Sequence, residues 1–159
     1  MKKTTVAWLL KAVLILCACG VLVAAGNLLP MYMNHVRAVR PELSGWYGWM
    51  IAYGWTLAIP ALVALLLLWR VFGTIAADEA FCEQNARRFK RVWQLCTLDL
   101  ALVAGMGLFL WINHVTPPFL VTAVAGLLFL GVAAAIVCFA LSGLCESAAK
   151  MREENEMTV

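Results

Sequence analysis

Apolar residues run almost unbroken through four stretches of the chain, 6–29, 47–69, 92–112 and 119–141, and polar residues gather in the gaps. A helix rises 1.5 Å per residue, so about 20 apolar residues cross a hydrocarbon core of ~30 Å. Each stretch meets that length. The pattern predicts an all-α, polytopic membrane protein, a four-transmembrane-helix bundle in a single membrane domain over residues 1–159. Little chain is left over for a separate soluble domain.

Composition strengthens this reading. Hydrophobic residues make up 64% of the chain, charged residues 13%, and the mean hydropathy is +0.88. A soluble domain carries roughly 25% charged residues. The excess of basic residues, which elsewhere suggests nucleic acid, here falls into a topological pattern. Lys2 and Lys3 precede the first span, Arg70, Arg87, Arg88, Lys90 and Arg91 lie between the second and third, and Lys150 and Arg152 follow the fourth. Only Arg37 and Arg40 lie between spans one and two, and the last connection has neither Lys nor Arg. Cationic loops stay cytoplasmic, so both termini are expected inside, and direct nucleic-acid binding is not. Tryptophans agree: Trp8, Trp69 and Trp93 fall at the inner interface, and Trp46, Trp49 and Trp111 at the outer one. The N-terminal apolar run is interrupted by Lys11 and continues to residue 29, which suits a retained helix better than a signal peptide.

The candidate chemistry is sparse. The six cysteines form no C-x-x-C pair and no zinc spacing, so packing is their expected use, with redox sensing through Cys82 and Cys145 the alternative. Small residues recur every four positions as Gly48, Ala52, Thr56 and Pro60, as Thr97, Ala101 and Gly105, and as Gly131 and Ala135. Such lines let helices approach closely, within the chain or in a homo-oligomer. Pro60 is expected to kink the second span. Two charges fall inside the membrane zone, Lys11 and Asp99. Their similar depth and opposite sign favour an intramembrane ion pair. A proton or ion site, or Lys11 snorkelling to the interface while Asp99 faces a polar cavity, are the other readings. His35, Glu42 and His114 are weak metal-ligand candidates on the outer side. No nucleophile–base set appears, so neither an enzyme nor a cofactor is expected.

The polar connection 70–91 is the most informative soluble part. Phe81, Phe89 and Val92 fall near one helical face amid basic residues, predicting a short cytoplasmic interfacial helix between spans two and three. Asp78, Glu79 and Glu83 precede the bases, as suits a helix N-terminus. A cytoplasmic tail, 142–159, follows the last span.

These two segments carry a resemblance. Phe81, Asn85, Arg88, Phe89, Lys90 and Val92 match the second cytoplasmic connection of the domain of unknown function 2975 family, four-span bacterial membrane proteins. Met151, Arg152, Glu154, Asn155, Glu156, Met157, Thr158 and Val159 match that family's tail. Ala80 departs from it, standing where a Pro is common. The resemblance implies a multi-pass protein of the bacterial cytoplasmic membrane and, because members are often encoded beside helix-turn-helix regulators, a regulatory or sensory partner of such a regulator. Phe81, Asn85, Arg87, Arg88, Phe89, Lys90 and Arg91, with Arg152, Glu153, Glu154, Asn155 and Glu156 of the tail, are the expected docking surface. The alternatives are a small transporter or channel using Lys11 and Asp99, and a structural or assembly protein.

Overall fold

A computed structural model describes residues 3–76, 82–114 and 118–157, and those residues are helical almost throughout, with no strand among them. Helix α1 covers Lys3–Val23 and passes through a π-helical turn, Ala24–Leu28, into α2, Leu29–Val39. The backbone stays in the right-handed helical region across both joints, so the first span is one rod. Arg40 is the non-helical residue that ends it, and a 3₁₀ turn, Pro41–Trp46, leads into α3, Tyr47–Ala76. Helix α4 covers Glu83–Ile112 and α5 covers Pro118–Met157. Among the described residues four helical segments are long and apolar enough to cross a membrane: Ala7–Val39, Pro41–Thr74, Glu83–Ile112 and Val121–Met151. These are the four stretches expected from the sequence, each extended at one end or both.

The expected interfacial helix is not a separate element. Residues 83–91 are the first turns of α4 and continue unbroken into the span. From Glu83 to Ala104 the chain has neither Pro nor Gly, and Glu, Gln, Ala, Arg and Lys are good helix formers, so nothing stops the helix at the interface. Pro60 lies inside α3 without ending it.

The helices associate in an open order. Helix α1 packs on α3, α3 on α4, and α4 on α5, and among the described residues no contact within 8 Å between Cα atoms joins α1 to α4 or α5. Large apolar side chains therefore point outward, Trp49 at 81% exposure and Phe129 at 74%, as a lipid solvent permits.

The α4–α5 seam is the tightest part. Going up α4, Ala86 meets Ser142, whose hydroxyl donates to the Ala86 carbonyl at 3.0 Å. Trp93 packs against Phe139 in a tilted pair with ring centroids 5.5 Å apart. A Cβ on Gly131 would lie 2.8 Å from Leu100, and one on Gly107 would lie 3.1 Å from Val124. The α4 partners recur every seven residues, the repeat of a coiled-coil seam. Gly131, Ala135, Cys138 and Cys145 are the small residues that let α5 close on it; Ala135, Cys138 and Cys145 are buried, which gives those two cysteines the expected packing role. Similarly, Gly54 leaves the space that Leu29 fills where the first span meets α3. By contrast Gly48, Ala52 and Thr56 on α3, and Thr97, Ala101 and Gly105 on α4, are exposed. Those two small-residue lines are not used within the chain.

Candidate functional site

The buried polar chemistry lies at the end of the molecule that carries Arg87 to Arg91. Val71, Ala86, Phe89, Val92 and Cys145 form its core, drawn from α3, α4 and α5. Inside it sits Asn85, with no exposed surface. Its Nδ2 donates to Thr74 Oγ1 at 2.7 Å, and its Oδ1 accepts from Arg88 Nη1 at 3.0 Å. The Thr74 hydroxyl in turn donates to the Val71 carbonyl at 2.7 Å. A buried amide demands partners, and here they tie the last turns of α3 to the first turn of α4.

This geometry divides the expected docking residues. Asn85 and Phe89 are interior and cannot form an exposed face; Phe89 is buried by the apolar stripe it shares with Val92. Arg87, Lys90 and Arg91 are exposed, and Arg88 is half-buried. Arg87 pairs with Glu83 one turn earlier at 2.6 Å, a surface pair of little energetic weight. Phe81, with Asp78 and Glu79, lies outside the described residues. Arg152, Glu153, Glu154, Asn155 and Glu156 lie on the last turns of α5, where the backbone alone is described. The Ser142–Ala86 bond sets Cys145 near the level of Cys82. Helix α5 then runs on, placing Glu153 about 12 Å beyond that level, whereas Arg87 to Arg91 lie on its other side. Among the described residues the backbone of α5 therefore runs away from Arg87 to Arg91 rather than toward them.

Lys11 and Asp99 are also apart. The Lys11 ammonium sits over the Trp69 ring, 5.2 Å from its centroid, and 3.9 Å from the place of a Cβ on Gly73. It is therefore level with Arg70, near the end of α3, which is the snorkelling arrangement with a cation–π contact added. Asp99 lies on α4, which does not touch α1. Its Oδ1 is buried without a hydrogen-bond partner. Among the described residues the ion pairs are Arg87–Glu83 and Lys150–Glu146. The expected pair fails for two reasons: α3 stands between the two helices, and α4 begins at Glu83, so Asp99 lies about 20 Å along α4 from the Thr74–Asn85 level near which the Lys11 ammonium sits.

At the opposite end, His35, Glu42 and His114 are all exposed, and no group of three His, Cys, Asp or Glu among the described residues could hold a metal ion. His114 adopts φ 55° just past α4, the left-handed position that commonly follows a helix C-terminus. Arg37 stacks on Tyr47 at 4.9 Å. Trp46 packs on Phe109 with centroids 5.3 Å apart. Beside that pair a groove of about 470 Å³ runs between α3 and α4, lined by Trp46, Trp49, Tyr53, Gly105, Met106 and Phe109 among others. The Tyr53 hydroxyl, at the groove's foot, donates to the Leu102 carbonyl at 2.6 Å.

The residues not anticipated include Tyr53, Thr74 and Ser142. They close interhelical hydrogen bonds with partners 49, 11 and 56 residues away. A Thr or Ser near the end of an apolar helix gives no local sign of such a bond.

Four membrane-length helices in open order, with polar chemistry gathered at one basic end, define a multi-pass membrane protein. The chain belongs to the DUF2975 family, described as a protein of unknown function, whose model matches residues 4–159. No curated protein and no solved structure matches it.

Proposed function

We propose that this protein is a membrane-embedded regulator whose basic end docks a cytoplasmic protein of the helix-turn-helix class. The observation that supports the reading is the buried Asn85, which holds the first turns of α4 rigid against α3 and so presents Arg87, Lys90 and Arg91 in fixed positions. A fixed row of cations recognises an acidic surface better than a mobile loop does, because less ordering entropy is lost on binding. The α5 extension carries Glu153, Glu154 and Glu156 well past the row. A partner would meet cations near the membrane and carboxylates farther out. The proposal involves no catalytic step, no cofactor and no direct contact with nucleic acid. Both termini face the cytoplasm in this reading, which the distribution of Lys and Arg supports. The exposed lines Gly48–Ala52–Thr56 and Thr97–Ala101–Gly105 are where a second copy would pack.

The test uses the full chain in nanodiscs, once of neutral lipid and once containing anionic lipid, presented to cytosol from the native cell. Reversing Arg87, Lys90 and Arg91 to Glu, or deleting the chain after Met151, should release a small DNA-binding protein captured by the parent. If the captured set is unchanged by both variants while insertion is normal, docking is wrong. If the reversal alters only the preference for anionic lipid, the row serves the membrane surface instead.

A further inference from the structure

The first span stands at the edge of the open order, because α1 packs on α3 and on no other span. On its outer side Leu9, Val13, Leu16, Gly20, Val23 and Asn27 are all exposed. Their spacing alternates between four and three residues, the repeat of a left-handed helix pair. Leu9 to Val23 suit lipid, and Asn27 does not. Its side chain makes no hydrogen bond to another described residue. Its depth follows from the register of the first span on α3. Leu29 fills the space at Gly54, so Asn27 lies level with Thr56, which is seven residues, about 10 Å, inside the level of Trp49. A side chain as short as Asn does not reach the headgroups from there. An amide facing hydrocarbon has lost its water partners and gained none.

We propose that the outer side of α1 is the interface of a homodimer, in which the Asn27 amides of two copies bond each other across a parallel pair of first spans. The chemistry of the face commits it to a second copy. Copies of one chain insert with one orientation, so the same residue stands at the same depth in each. An amide carries both donors and an acceptor, so two of them about a twofold axis satisfy each other, which lipid tails and an apolar helix do not. Gly20, seven residues before Asn27, lets the two backbones approach closely. A Cβ there meets nothing within 4 Å, so its small size serves no contact within the chain. By contrast, the threonines on the small-residue lines of α3 and α4 are already satisfied. Thr56 donates to the Ala52 carbonyl at 3.0 Å and Thr97 to the Trp93 carbonyl at 2.9 Å. Those lines lie on other faces and stay open in this dimer. The inference is independent of docking at the basic end, so either can fail without the other.

The test follows Förster transfer between donor- and acceptor-tagged copies of the full chain in phosphatidylcholine vesicles as lipid is added. The parent should show saturable transfer that falls on dilution in lipid, and single particles should bleach in two steps. Asn27→Leu should weaken the dimer about three- to thirtyfold, the range of one interhelical hydrogen bond in lipid, whereas Asn27→Gln, which keeps the amide, should retain it. Gly20→Leu leaves the amide intact and points its side chain into open space, so the monomer folds while close approach is blocked. It should also weaken the dimer. Ala52→Leu, on the exposed line of α3, should leave the affinity unchanged. A parent that is monomeric at every lipid ratio, equal affinity in Asn27→Leu, or an equal loss in Ala52→Leu overturns the proposal. If Asn27→Leu does not insert, undiminished affinity in Gly20→Leu overturns it as well.

Discussion

Truncating Asn85 to Ala should destabilise the α3–α4 junction by about 2–3 kcal/mol. The side chain is wholly buried and bonds Thr74 at 2.7 Å and Arg88 at 3.0 Å. A neutral hydrogen bond contributes about 0.5–1.5 kcal/mol net, and one from a charged donor about 1.5–3 kcal/mol. Arg88 is half-exposed and can turn to water, so its share falls at the lower end. Thr74 keeps its own bond to the Val71 carbonyl and loses only an acceptor role. A small cavity adds to the cost. The assay is reversible unfolding in mixed micelles against the mole fraction of dodecyl sulfate, followed by far-ultraviolet circular dichroism. Combining Asn85→Ala with Thr74→Val isolates the pair. The double-mutant cycle should return a coupling of about 1 kcal/mol, because Thr74→Val alone strands the amide donor that Asn85→Ala removes. An Asn85→Ala variant within about 0.5 kcal/mol of the parent, or a cycle that is additive within that margin, would refute the role given to this residue.

Lys11→Met and Asp99→Leu should act additively within about 0.5 kcal/mol in the same assay, since α1 and α4 do not touch; a larger coupling would restore the ion pair. Gly131→Val should cost about 1–3 kcal/mol by forcing Leu100 aside, whereas Gly126→Ala, where a Cβ meets nothing within 4 Å, should be neutral or stabilising by up to ~1 kcal/mol. Equal effects at the two glycines would contradict the seven-residue seam. His114→Gly should raise stability by about 0.5–1 kcal/mol, as φ is 55° there and glycine adopts that conformation without a Cβ clash. Loss of stability on that substitution would mean that the imidazole makes a contact of greater weight.

Much of the architecture is legible in the linear pattern. Four apolar runs of membrane length dictate four helices, because a backbone in lipid must satisfy its own hydrogen bonds and a helix does so locally. The basic turns around Arg88 and the tail beyond Met151 carry the family resemblance, and the family match runs from residue 4 to residue 159. Helix content, family and the place of the polar end follow from near-neighbour chemistry of this kind. Which faces meet does not. In water, burial would mark the inner face by its hydrophobicity, but in lipid both faces are apolar and the mark is lost. The exposed small residues of α3 and α4 looked as well suited to packing as Gly131, which lies against Leu100. Asn85, read as part of a polar surface, is the most deeply buried polar residue among those described, with Thr74 and Arg88 as partners. Lys11 and Asp99 stand at similar distances from the starts of their apolar runs, but α4 begins at Glu83 and so carries Asp99 well past the level of Lys11, and pairing depends besides on the order of the helices. That order, with α3 between α1 and α4, comes from interhelical packing and a few long-range hydrogen bonds, which no local stretch of sequence encodes.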